Sequence, residues 1–95
     1  MAGRARITAD GVLGTSGAQQ RVFSFNFLSG GGPGVVVLRN GTAITDTEAF
    51  RVSGMLNETT RVSFGTEGKH FPAGCYVDID ADVQYVDLDY VQLSS

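Results

Sequence analysis

Residues 76–93 read YVDIDADVQYVDLDYVQL, and in each half apolar and polar side chains change places at every step. Tyr76-Val77-Asp78-Ile79-Asp80 is answered by Tyr85-Val86-Asp87-Leu88-Asp89. A period of two belongs to a strand whose faces meet different surroundings. It is not the period of an amphipathic helix, whose apolar positions recur at three and four. The same alternation returns in RVFSFNFL (21–28), EAFRVSG (48–54) and TTRVSFG (59–65), with turn-rich clusters between. Short alternating segments at such intervals predict an all-β sandwich or barrel.

Along the chain, a first strand is expected around Arg4–Ala9, with Asp10-Gly11 as a turn and GTSGAQQ as a loop. In RVFSFNFL, strict alternation puts Phe23, Phe25 and Phe27 on one face as the main core row. Val22, Ser24, Asn26 and Leu28 take the other. SGGGPG (29–34) lacks the Gly-Lys-Ser/Thr close of a phosphate loop and serves as a connection. GVVVLR is apolar on both faces, which places it inside a sheet or at a subunit contact. Asn40-Gly41 tolerates positive φ and should reverse the chain after Arg39. Phe50 and Val52 point inward with Arg51 and Ser53 outward; Val62 and Phe64 point inward with Arg61 and Ser63 outward.

Ninety-five residues make one small domain. Such a chain buries roughly 60–65% of its unfolded surface, so disulfides, metals or assembly commonly support it. Cys75 is the single cysteine, which excludes an internal disulfide and leaves assembly as the expectation. The net charge of −3, with scattered arginines, gives no basic patch for nucleic acid. No apolar run has the length of a signal peptide core or a membrane span, so synthesis and retention in a cytoplasm are expected.

The acidic repeat allows three arrangements. A hairpin with an Ala81-Asp82 loop separates the acids. One looping over Ala81–Gln84 stacks Asp78 on Asp87 and needs a cation or a partner's arginine. In the third, the halves lie in opposing sheets. Asp78-x-Asp80-x-Asp82 with Asp89 at the twelfth position mimics a calcium loop, but Val83 stands where glycine is required and strands replace helices. A solvated strand face that blunts edge pairing accounts for the acids without a metal. Catalysis has little to stand on. His70 and Cys75 could be imagined as a nucleophile pair, but Cys75 falls on the oily side and no hydrolase or metal motif is present. The chain is expected to be no enzyme, with no cofactor, catalytic residue or metal ligand.

RVFSFNFLSGGGPGVVVLRNGT (21–42) and FPAGCYVDIDADVQYVDLDYVQL (71–93) together resemble small β-sandwich virion proteins of tailed bacteriophages. The similarity spans most of the chain from Arg21 onward, and its motifs are structural. It implies a non-enzymatic capsid decoration or cement protein, made in the host bacterial cytoplasm and located in the virion. The implied partners are the major capsid protein or other virion subunits and further copies of itself, a trimer being favoured; nucleic acid and membrane are not among them. The expected fold is an all-β, small antiparallel, jelly-roll-like sandwich of about eight short strands. Residues 1–20 form an N-terminal arm and first strand, and 21–95 the sandwich domain. Arg4 and Arg6 on the arm, with Tyr76, Asp78, Tyr85 and Asp87 on the acid–tyrosine face, are the candidate partner-binding residues. The alternative is a tail- or fibre-associated module binding glycans or host surfaces, with Tyr76, Tyr85 and Tyr90 the candidate aromatics and Tyr90 expected to point inward.

Overall fold

In the computed structural model, which describes residues 2–55 and 57–93, every alternating segment becomes a strand. The described residues hold nine strands and no helix. They are β1 (Ala2–Ile7), β2 (Gly11–Val12), β3 (Gln20–Ser29), β4 (Val35–Asn40), β5 (Thr47–Ser53), β6 (Thr59–Ser63), β7 (Lys69–Phe71), β8 (Cys75–Ile79) and β9 (Val83–Gln92). One sheet runs β1-β9-β3-β6, with β7 continuing the line of β6 along β3. The other runs β2-β8-β4-β5. The antiparallel pairs β1·β9, β2·β8, β3·β6 and β4·β5 are nested in sequence and fall alternately in the two sheets. A long hairpin wound in this way around two layers is a jelly roll.

The core lies between the layers. Val22, Phe25, Phe27, Val86 and Leu88 from the first sheet meet Val36, Leu38, Cys75 and Val77 from the second, all buried. Phe25, Phe50 and Phe64 form a ring cluster, with Phe50 and Phe64 edge-to-face at 5.0 Å between centroids. Phe50 comes from β5 and Phe64 follows β6, so this cluster bridges the two sheets where their outermost strands meet no third layer.

The phenylalanine row departs from strict alternation. Val22 and Ser24 pair with the consecutive residues Tyr90 and Asp89, which makes Phe23 the extra residue of a β-bulge. Val22 takes the core position, fully buried, while Phe23 is half-buried and stands outside the core cluster. The loop between β6 and β7 explains the site of the bulge. Gly68, at φ +71, brings its backbone so close that a Cβ there would lie 2.8 Å from the Val22 carbonyl and 2.9 Å from the Phe23 ring. Two more bulges follow, at Gln84 in β9 and at Ala49 in β5.

The acidic repeat takes the third arrangement: β8 lies in one sheet and β9 in the other, joined by a tight turn in which Val83 N donates to Asp80 O at 3.2 Å. Neither hairpin register exists. The first segment also differs from an arm. β1 is hydrogen-bonded to β9 over its whole length, β2 belongs to the second sheet, and Leu13 and Ala18 are buried. Residues 2–20 are thus continuous with the sandwich, and Met1 lies outside the described residues. At Asn40-Gly41 the chain does reverse, but through residues 41–46. Asp46 accepts from the amides of Thr42 and Ala43 there, and its carboxylate fills the space a Cβ on Gly41 would need.

Candidate functional face

The two outer faces inherit the polar halves of the strands. On the β1-β9-β3-β6 sheet, β1 presents Arg4 and Arg6, β9 presents Tyr85, Asp87 and Asp89, β3 presents Ser24 and Asn26, and β6 presents Arg61. Register makes two rungs of them: Arg6, Asp87, Asn26 and Arg61 are successive partners, and Arg4, Asp89 and Ser24 form the next row. Arg4, Arg6, Asn26, Arg61, Asp87 and Asp89 line an open depression of about 380 Å³.

Its electrostatics are specific. Arg6 donates to Asp87 through two nitrogens, at 2.8 and 2.9 Å, and its guanidinium carbon sits 4.2 Å above the Tyr85 ring centre. The hydrogen bonds from Arg6, with its charge, hold the Asp87 carboxyl below its ordinary value, and Asp87 raises Arg6 in return. Arg4 pairs with Asp89 at 2.8 Å, and Ser24 Oγ donates to the same carboxylate at 3.1 Å. Arg61 has among the described residues only a long contact, Nη2 to Ser24 Oγ at 3.5 Å. The face can grip a polar surface by charge-assisted hydrogen bonds. It places no acid or base in a dry enclosure.

Of the six residues singled out in the sequence, Arg4, Arg6, Tyr85 and Asp87 meet here. Tyr76 and Asp78 do not: they lie on the outer face of the opposite sheet, since β8 and β9 part company. There Asp78 is bound by Arg39, at 2.9 and 3.2 Å from Nη2 and Nε, and both side chains are largely covered, 18% and 19% exposed. Arg39 also donates to the Asp46 carbonyl. Sequence inspection passed over Arg61, Asn26 and Asp89 as site residues. Each was visible as outward-facing in its own strand, but their convergence depends on cross-strand register.

The calcium-like spacing dissolves into other duties. Asp78 pairs with Arg39, Asp80 accepts from the amides of Val35 and Asp82, and no cluster of three potential metal ligands occurs among the described residues. His70 is exposed on β7 and hydrogen-bonds to Gln19 at 3.0 Å. Cys75 is fully buried in the core, where burial pushes its thiol up to about 12. A thiol there is a small apolar filler. No helix among the described residues is long and apolar enough to cross a membrane. Comparison with family models, with curated proteins and with solved structures gives no match.

Proposed function

We propose that this chain is a non-enzymatic structural subunit of a bacteriophage virion, decorating or cementing the capsid through protein–protein contacts. The observation that carries the contact face is the rung Arg6–Asp87–Asn26–Arg61, half satisfied within the fold and half open to a partner. The resemblance of residues 21–42 and 71–93 to small virion sandwich proteins supports the setting, and the nested two-sheet fold agrees with it, since jelly rolls include viral capsid domains. Fold alone does not assign a role; the open face gives it a physical basis. The partners are the major capsid protein or neighbouring virion subunits and further copies of the chain, with a trimer favoured. Exposed Ile44, Met55 and Leu93 at the sandwich ends supply apolar surface for such contacts. The glycan-binding alternative needs several open aromatic faces, whereas Tyr85 lies beneath Arg6, Tyr90 packs on the core, and Tyr76 stands apart from both on the opposite sheet.

The test is quantitative mass spectrometry of purified, salt-washed particles from cells producing the phage that encodes the chain. A fixed copy ratio to the major capsid protein is expected. Recovery only from the soluble lysate would refute the proposal.

A further inference from the structure

Resting on that reading of the face, the geometry points to a carboxylate-binding site at Arg61 and Asn26, filled by an acidic side chain on an extended segment of the partner protein. The two residues are direct partners on β3 and β6, which places their Cβ atoms about 5 Å apart on one face. Both line the depression. The Asn26 side chain makes no hydrogen bond among the described residues, and Arg61 makes only its 3.5 Å contact with Ser24. Every other arginine in the depression already holds a carboxylate: Arg4 has Asp89 and Arg6 has Asp87.

The missing group has a defined chemistry. A guanidinium offers a planar fork of N–H donors that fits the two oxygens of a carboxylate. The Asn26 amide adds a donor from the adjacent strand. Arg4, Arg6 and Arg61 against Asp87 and Asp89 leave one positive charge on this face, on a chain of net charge −3. One carboxylate cancels it. A phosphate dianion would overshoot and meet the carboxylates of Asp87 and Asp89. A lysine or arginine would face three like charges. An extended segment fits because the depression is lined from β1, β9, β3 and β6, and a chain lying across it can set alternate side chains downward.

The test titrates the peptide acetyl-Glu-Ser-Glu-Ser-Glu-Ser-amide, and its Glu→Gln counterpart, into the isotope-labelled protein by NMR at low and physiological salt. The acidic peptide is expected to shift the Arg61 Nε–H and the Asn26 side-chain amide ahead of other groups. Arg61→Gln should weaken it at least tenfold, Asn26→Ala less, and Arg61→Lys should restore only part, because the charge returns without the fork. Arg51→Gln, on the opposite face, should leave binding unchanged. Amide spectra of each variant report whether it folds. Shifts spread evenly over exposed arginines, equal response to the Gln peptide, or undiminished binding by folded Arg61→Gln would each overturn the site. Particle occupancy separates this inference from the one beneath it. A wild-type chain absent from particles sinks the virion role, while the titration still decides the site. Equal occupancy by wild type and Arg61→Gln sinks the site as the capsid contact alone.

Discussion

The two outer faces of this sandwich start from similar material and end differently. Both are polar halves of alternating strands, and both carry arginine–carboxylate pairs. On the β2-β8-β4-β5 sheet the face is closed on itself. Arg39 and Asp78 cover one another, Arg51 holds Glu48 at 2.7 Å, and Val37 between them is only 4% exposed although it points away from the core. Even the bulge at Ala49 serves this closure, because it turns Glu48 to the side of Arg51, three residues on. On the β1-β9-β3-β6 sheet Arg4 is 85% exposed, Arg6–Asp87 is about as open as Arg51–Glu48, and the rung ends in Asn26 and Arg61 with donors to spare among the described residues. Strong donors are left unmatched on one face and matched on the other; on the proposed reading, the first face serves contact and the second stability.

That division can be broken experimentally. The largest effect is expected from Arg39→Ala, which strands Asp78 in a mostly covered position and frees the Asp46 carbonyl. Urea unfolding should show a loss of about 2–3 kcal/mol, against a change within about 0.5 kcal/mol for Arg61→Ala. Equal losses would erase the distinction. Next comes Val37→Ala, expected to cost about 1–2 kcal/mol through lost burial, while Asn26→Ala on the open face should be near neutral by the same assay. The smallest effect concerns pH. Asp87 and Glu48 are each held below their ordinary values by hydrogen bonds from Arg6 and Arg51. A carboxyl depressed in the fold stabilises it above the unfolded value, near 4, and that contribution disappears as pH falls through the folded value. Unfolding midpoints should therefore drop below pH ~4, with Asp87→Asn and Glu48→Gln each removing a small share of the drop. A wild-type midpoint that rises on acidification in that range would contradict the pairing.

The class of fold was legible because alternation is local. Each strand writes its own inward and outward sides, and Phe50, Val52, Val62 and Phe64 fall inward as their spacing predicts. What could not be read locally depends on neighbours. Phe23 loses its core place because β3 must match Tyr90 and Asp89 while passing the Gly65–Gly68 loop. The repeat in β8 and β9 looks like a hairpin because a three-residue link permits one. The core instead places each strand between partners distant in sequence, β8 beside β4 and β9 beside β3. For the same reason the acid–tyrosine candidates divide between two faces. Arg4, Arg6, Tyr85 and Asp87 were recognisable as charged or aromatic outward groups. Arg61 and Asn26 acquire meaning only once β6 is set against β3.

On the proposed reading, contact with the particle is made through the open face. Arginine labelling with a dicarbonyl reagent, followed residue by residue in the free protein and on the intact particle, tests it most directly. Protection of Arg61 and Arg4 on the particle, with Arg51 labelled to the same extent in both states, is the predicted result. Protection of Arg51 with Arg61 labelled as freely as in solution would contradict it.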